Sequence, residues 1–117
     1  MMREPGAGEL NRLISLRLQT DVPNAGFGLD PTYGAGVPLW AKHEPVHSLA
    51  IRSGMQTGEA PTDFFWVRRA AGLTQPENIT AAHVIEWDGQ RYRVLEAIDV
   101  NGTRRFTRIT AKLLGAI

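Results

Sequence analysis

Two glycine-containing dipeptides divide residues 82–114, the last third of the chain, into three segments of strand-forming residues. Asp88-Gly89 and Asn101-Gly102 each lie between stretches rich in β-branched and aromatic side chains. A two-residue hairpin loop needs positive φ at its central positions, and Asn, Asp and Gly adopt that conformation at the lowest cost. The pattern therefore predicts a three-stranded antiparallel meander with two tight turns.

Three segments upstream of the meander also have strand patterns. Apolar and polar residues alternate in residues 10–20, which is typical of a half-buried strand, and residues 39–44 predict a second one. Residues 63–70 carry aromatic side chains on both faces, so this strand is central in the sheet or crosses between two layers. Between it and the meander, Thr74 and Glu77 match a capping box and predict a single helical turn.

The hydrophobic alternation changes phase inside the meander. Tyr92 and Val94 share one face of their strand, whereas Leu95 and Ala97 take the other face. A change of phase within a strand indicates a β-bulge, and bulges bend a sheet toward closure. About six short strands with little helix therefore predict an all-β fold, a small antiparallel β-barrel or sandwich with long loops.

Two long irregular segments separate the strands. Residues 21–38 are rich in Pro and Gly and predict a long loop, and residues 46–61 predict a loop with a short helix or ragged strand edges. A chain of 117 residues can bury one hydrophobic core. We therefore expect a single domain spanning residues 1–117, with residues 1–8 disordered.

Composition excludes several classes of function. The chain has no Cys, which excludes disulfides, thiolate zinc sites and a catalytic thiol. The net charge of +1 argues against a protein built mainly to bind nucleic acid. Apart from Lys42 and Lys112 every basic residue other than His is Arg, which is favoured at interfaces. No apolar run is long enough to cross a membrane, and the first residues lack the apolar region of a secretory signal.

Residues 43–47, His-Glu-Pro-Val-His, match the H-E-x-x-H pattern of zinc proteases. That motif needs a helix, which brings both His side chains to one metal ion. Pro45 would cost a helix interior about 3 kcal/mol. On a strand, His43 and His47 lie roughly 13 Å apart, too far to share one ion. The sequence therefore predicts a strand here and no metal site. For the protein as a whole, we expect no cofactor and no enzymatic activity.

A nucleic-acid-binding barrel is an alternative function. Basic and aromatic residues of the predicted sheet that could form a face for single strands are Arg91, Arg93, Arg104, Arg108, Phe65, Trp87 and Tyr92. Acidic residues in the same half of the chain explain the Arg side chains equally well, as cross-strand ion pairs. Charge alone therefore leaves both interpretations open.

The order and spacing of several short segments resemble one family of virion proteins. The matching residues are Gly8, Leu10 and Arg12 at the first strand, Leu39-Trp40-Ala41, Thr62 leading a strand that ends in Arg68, Ile79, Val84-Ile85, and residues 88–94, Asp-Gly-Gln-Arg-Tyr-Arg-Val. In these features the chain resembles the phage head–tail joining family, the head closure or stopper proteins of long-tailed phages and prophages. The resemblance implies a small β-barrel subunit that joins the portal ring to the tail.

The resemblance also implies partners and a location. The partners would be other connector subunits, namely the portal-side adaptor ring and tail proteins. Copies of the chain would form a homo-oligomeric ring in the particle, and the isolated chain can be monomeric. Contact with packaged DNA is implied, since a loop in such proteins can close the DNA channel. The location would be the virion, after assembly in the bacterial cytoplasm. A tail completion or tail terminator protein uses a similar β domain and is a further alternative.

Long loops that order when a partner arrives are the natural place for assembly contacts. We therefore hypothesise that residues 25–37 and 46–61 carry them. The candidate contact residues are Phe27, Leu29, Tyr33, His47, Leu49, Arg52, Met55 and Gln56.

Overall fold

Alternating apolar residues and short turns produce seven antiparallel strands in the residues described by the computed structural model, 3–6, 8–46 and 60–117. The strands are β1 (Arg12–Pro23), β2 (Leu29–Tyr33), β3 (Val37–Pro45), β4 (Asp63–Arg68), β5 (His83–Trp87), β6 (Gln90–Asp99) and β7 (Phe106–Ala116). Two short 3-10 turns cover Pro76–Asn78 and Val100–Gly102. The predicted all-β class is confirmed.

Six of these strands close into a ring. Their order is β1-β3-β4-β7-β6-β5, and a further pairing of β5 with β1 joins the two ends. Residues 12–16 of β1 pair with β3, and residues 15–18 pair with β5. The far end of β1, residues 19–23, pairs with β2 alone. Every strand of the ring therefore has a neighbour on both sides, while β2 lies outside it.

The phase changes predicted in the meander correspond to irregular pairing between β6 and β7. The register shifts between Arg91 and Tyr92 and again between Val94 and Glu96. An extra residue on one strand bends it and increases the local twist. The predicted bulge is therefore confirmed, and it lies on β6, the strand that pairs with both β5 and β7.

The core lies on both faces of β4, as the sequence predicts for a central strand. Phe65 and Val67 point into the ring, where Phe65 contacts the rings of Tyr92 and Trp87. The opposite face carries Phe64 and Trp66, which form a second cluster outside the ring. Its other members are Val46, Val100, Phe106 and the partly buried Leu10. Full burial of one such side chain contributes about 1.5–3 kcal/mol, so β4 is the best anchored strand of the sheet.

Only one of the two tight turns has the predicted length. Asp88 and Gly89 have φ of 53° and 73° and connect β5 to β6 directly. The prediction of a two-residue turn at Asn101-Gly102 is wrong, because β6 ends at Asp99 and β7 begins only at Phe106. Both residues do have positive φ, but Val100, which precedes them, is fully buried in the outer cluster. The connection must therefore pack Val100 against that cluster before it reaches β7, which makes it longer than two residues.

The prediction that residues 21–38 form a loop without regular structure is also wrong. The segment contains the end of β1, all of β2 and the start of β3. Side chains of a hairpin that is solvated on both faces need no apolar alternation, because neither face packs against a core. The periodicity used to recognise strands is therefore missing from a segment that is nevertheless paired.

The predicted helical turn is present, but its cap differs. The 3-10 turn Pro76–Asn78 has Gln75 at its N-cap position, with no side-chain cap hydrogen bond. Thr74 is fully buried instead; its hydroxyl donates to the Arg68 carbonyl oxygen (2.5 Å) and accepts from the Ala70 N–H (2.6 Å). Thr74 therefore fastens the end of β4 rather than the start of a helix.

Part of the N-terminal segment that composition predicts to be disordered makes contacts in the structure. Pro5 is buried, and the Glu4 carboxylate lies 2.7 Å from Nη2 of Arg105. Glu9 accepts from the Gly6 N–H and pairs with Lys42, and these two contacts lower the pKa of Glu9 from 4.5 to about 2. These contacts tie Glu4 to Arg105, next to the start of β7, and Glu9 to Lys42 of β3.

Two buried threonines allow a matched test of these hydrogen bonds. Thr74→Val removes a hydroxyl that bonds twice, so we expect the free energy of unfolding to fall by about 1–3 kcal/mol. The Thr110 hydroxyl is buried and has no hydrogen-bond partner among the described residues, so Thr110→Val should leave stability unchanged or raise it. Urea denaturation measures both; equal losses in the two variants would contradict this account.

Candidate assembly site

The end of β1 and the whole of β2 form a hairpin that projects from the ring, and we call residues 19–33 the arm. Its last link to the ring is the Gln19 N–H, which donates to the Ala82 carbonyl oxygen (2.9 Å). Beyond that point β1 pairs only with β2, from Gln19 opposite Tyr33 to Pro23 opposite Leu29. At about 3.3 Å per residue, the paired part extends roughly 13 Å from the ring before the turn begins.

Asn24 organises the turn at the tip of the arm. Its side-chain oxygen accepts hydrogen bonds from the N–H groups of Gly26 (2.9 Å) and Gly28 (3.0 Å). Its own backbone N–H donates to the Gly28 carbonyl oxygen, and its side-chain nitrogen donates to Asp30. A Cβ on Gly28 would lie 3.3 Å from that nitrogen, so the turn is tight at this position. Asn24 therefore defines the conformation of the tip.

Phe27 lies at the most exposed point of this turn. Its side chain is 104% exposed and its φ is 64°, in the left-handed region that a bulky residue rarely adopts. Leu29 is 64% exposed and Val22 is also exposed. Two of the predicted contact residues, Phe27 and Leu29, therefore lie together at the tip and present apolar surface to solvent.

The third of these residues, Tyr33, lies at the root of the arm in a cluster around Glu86. The Glu86 carboxylate accepts from Arg17 Nε (2.8 Å) and from Arg91 Nη2 (2.7 Å). Arg17 also donates to the Gly34 carbonyl oxygen (2.9 Å), and the Arg91 guanidinium lies 3.9 Å from the centroid of the Tyr33 ring. This cluster, which we call the root clamp, joins β1, β5, β6 and the end of β2.

Electrostatics make the root clamp sensitive to pH. The Glu86 side chain is only 13% exposed, and burial alone would raise its pKa. The hydrogen bonds and charges of Arg91 and Arg17 outweigh burial, so the pKa of Glu86 lies below its ordinary value of 4.5. A carboxyl with a lowered pKa stabilises the fold above its ordinary pKa and loses that contribution as the pH falls.

The other five predicted contact residues lie outside the described residues. They are His47, Leu49, Arg52, Met55 and Gln56. Their role as assembly contacts stays a prediction.

A second apolar surface lies at the start of β3 and was not predicted from the sequence. Trp40 is paired with Leu13 of β1, and both side chains point outward and are exposed, Trp40 by 59%. Trp40 borders a groove of about 360 Å³, which we call the Trp40 groove. Its lining residues are Leu10, Pro38, Leu39, Trp40, Val67, Arg68 and Ala70. Trp40 itself was the one sequence signal for this surface. It is next to the buried Ala41 on a strand, so its side chain must lie on the opposite, outer face.

A basic depression adjoins the Trp40 groove. Arg68 lines both, and the depression of about 430 Å³ is further lined by Glu4, Pro5, Arg69, Arg104, Arg105 and Phe106. Glu4 pairs with Arg105, which leaves an excess of positive charge around the depression. An apolar groove with a basic rim is therefore suited to a partner that is apolar at its tip and acidic along its sides.

The zinc-protease pattern does not form a helical metal site in the described residues. His43 lies on strand β3, as predicted, and its Nε2 bonds to the Asp63 carboxylate, next to the Trp87 ring. His47 lies outside the described residues. Within residues 3–6, 8–46 and 60–117, no three His, Asp or Glu side chains are grouped so that they could hold a metal ion. In the same part of the chain, no helix has the length and hydropathy needed to cross a membrane.

Two of the three aromatic residues of the hypothetical nucleic-acid face are not available for stacking, and the third, Trp87, is partly buried against the core. Phe65 and Tyr92 are buried inside the ring. Arg91 belongs to the root clamp, whereas Arg108 lies over the ring of Phe64, with its guanidinium carbon 4.4 Å from the centroid. Base stacking on exposed aromatic side chains is what such a face needs, so this arrangement does not support single-strand binding there.

Glu86→Gln tests the root clamp. The charge-assisted hydrogen bonds are weakened in this variant, so we expect the free energy of unfolding at pH 7 to fall by about 2 kcal/mol. The difference between wild type and variant should shrink as the pH falls below 4.5, because protonation of Glu86 removes the same charge from the wild-type protein. Comparing the two proteins at each pH by urea denaturation cancels the titration of other carboxylates, such as Glu9. A difference that does not depend on pH would contradict the clamp.

Comparisons with known proteins agree with this fold. The model of the phage head completion protein family matches residues 5–114. The solution structure of protein SF1141 from Shigella flexneri 2a is similar, with a TM-score of 0.65 and 18% identity over 94% of this chain and 97% of that one. A chain from the virion of a native gene transfer agent particle has a TM-score of 0.61 and 19% identity, covering 91% and 96%.

At these identities the two structures show a shared fold alone, and no curated protein matches the sequence. The family model, by contrast, spans nearly all of the sequence, from the N-terminal segment through β7. The chain therefore belongs to the phage head completion protein family.

Proposed function

We propose that this protein is the head–tail connector subunit that joins the portal end of a filled phage head to the tail and helps to retain the packaged DNA. The observation that carries the proposal is the family match over residues 5–114. The similar chain from a gene transfer agent is part of a virion, which is consistent with a place in the particle. The role is structural and requires no catalytic group.

The architecture suits a protein that links larger assemblies. The closed ring of strands gives a rigid body, because each strand of the ring is hydrogen-bonded to a neighbouring strand on both sides. The arm and the Trp40 groove supply surfaces on which other subunits can dock. In this proposal Phe27, Leu29 and residues 46–61, including His47, Leu49, Arg52, Met55 and Gln56, contact the portal-side ring, tail proteins or neighbouring copies.

The proposal also covers the assembly state and the location. Copies of the chain form a homo-oligomeric ring at the head–tail junction, assembled in the host cytoplasm and retained in the virion. This oligomeric ring of subunits surrounds the exit path of the DNA. Segments of each subunit near the axis of the oligomer contact the packaged DNA and hold it until the tail is attached. A single domain of 117 residues is sufficient for such a subunit.

Deleting the gene from the phage or prophage that encodes this chain tests the connector role. We expect filled heads and complete tails to accumulate separately, with heads that lose DNA to nuclease, and we expect infectious titre to fall at least a thousandfold. Electron microscopy and nuclease protection measure these outcomes. Normal tailed particles from the deletion strain would refute the proposal, and expression of the wild-type chain in trans is the control.

Mixing purified protein with the separated parts distinguishes a connector from a tail completion protein. A connector should co-sediment with tailless heads and make them competent to join tails added later. If the protein instead binds isolated tails and leaves heads unchanged, it acts at the tail end and the head-side proposal is wrong.

A further inference from the structure

Phe27 holds a turn conformation that is costly for its own side chain. A phenyl side chain at positive φ is sterically unfavourable, and Gly would adopt the same turn more easily. Full exposure means that no packing against the described residues compensates for this cost. A strained, exposed aromatic residue at the tip of a projecting hairpin is the feature expected of an anchor for another surface.

The arm cannot place Phe27 in the Trp40 groove of the same molecule. Leu13, which pairs with Trp40 of that groove, and Pro23, where the turn begins, lie on one continuous strand. Ten residues separate them, so the tip is roughly 30 Å from the groove at about 3.3 Å per residue. Any contact between the tip and this groove must therefore join two molecules.

The Trp40 groove has the size and composition to accept an aromatic anchor. Its volume of about 360 Å³ falls within the range of pockets that bury small ligands, about 300–1,000 Å³. Leu10, Pro38 and Trp40 supply apolar surface, and Trp40 is exposed enough to stack against a second ring. Aromatic pairs of this kind add to the energy gained from buried area.

The charges of the two surfaces are complementary. Residues 19–33 contain two acidic side chains, Asp21 and Asp30, and no basic ones. The Trp40 groove carries Arg68 and adjoins the basic depression formed by Arg69, Arg104 and Arg105. An acidic arm and a basic rim attract each other and fix the direction in which the tip approaches.

We infer that the arm of one subunit docks on the next copy of this chain, with Phe27 in the Trp40 groove and Asp21 and Asp30 against its arginine rim. The inference rests on the proposed function, because it supplies the contact that links subunits into a ring. The two surfaces occupy different parts of the molecule, so each subunit uses its arm toward one neighbour and its groove toward the other. Such heterologous contacts close into rings when the rotation between copies permits.

Cross-linking tests this contact, because the chain has no Cys of its own. Ala25→Cys lies beside the anchor at the tip, and Ala70→Cys lies in the wall of the groove, so both anchors, Phe27 and Trp40, are kept. A short bismaleimide should convert the double variant, on heads and in concentrated purified protein, into a ladder of dimers, trimers and larger species. Single variants mixed together should give dimers only.

Two controls make the result specific. Ala25→Cys combined with Leu114→Cys, an exposed position on β7 outside the groove, should give at least tenfold fewer cross-links. Adding Phe27→Gly to the Ala25→Cys, Ala70→Cys pair should reduce the ladder by a similar factor. This last change should also raise the melting temperature of the isolated protein, since it relieves the positive φ, so a loss of folding cannot explain the result.

The inference is overturned if no ladder forms on heads or in concentrated protein, if Ala25→Cys links only to itself, or if Phe27→Gly leaves the ladder intact. Any of these results would leave the connector role standing, provided that the deletion strain still accumulates separate heads and tails. Conversely, a ladder in purified protein together with normal particles from the deletion strain would support the contact and refute the connector role.

Discussion

The pairing of β1 with both β3 and β5 is the contact on which the rest of this structure depends. It closes the ring by joining β1 to β5 as well as to β3, so within the ring each strand has a neighbour on both sides. Free edges invite pairing with other chains, which is a hazard for a protein that must associate in one defined way. Because β1 is longer than the ring requires, its remaining residues extend outward and carry the arm.

This arrangement separates stability from assembly. The core on both faces of β4 and the closed pairing stabilise the ring without any contribution from the tip of the arm. The root clamp around Glu86 then fixes the direction of the arm at its base, using Arg17 and Arg91 from two other strands. A residue such as Phe27 can therefore be exposed and conformationally costly, because the fold does not rely on it.

The sequence predicts best those features that depend on neighbouring residues. Positive φ at Asp88-Gly89 and the phase change after Val94 are local, and both are found where expected. The turn at Asn101-Gly102 is longer than predicted because burial of Val100 is a tertiary contact.

The two proposed docking surfaces could not be predicted in full, for physical reasons that differ between them. Phe27 and Leu29 were expected to make contacts, but the strand segments that present them, residues 19–23 and 29–33, bury neither face and so leave no periodic signal. The Trp40 groove is lined largely by residues of β3 and β4, so it depends on the pairing of those two strands, which a single sequence does not specify. Hydrogen exchange of the backbone amides in residues 20–22 and 29–32 tests the central claim most directly. An isolated two-stranded hairpin is only marginally stable, so these amides should exchange quickly in the purified protein and slowly once it is assembled on heads, while β4 stays protected in both. Equal protection of the arm in the two states would contradict the account.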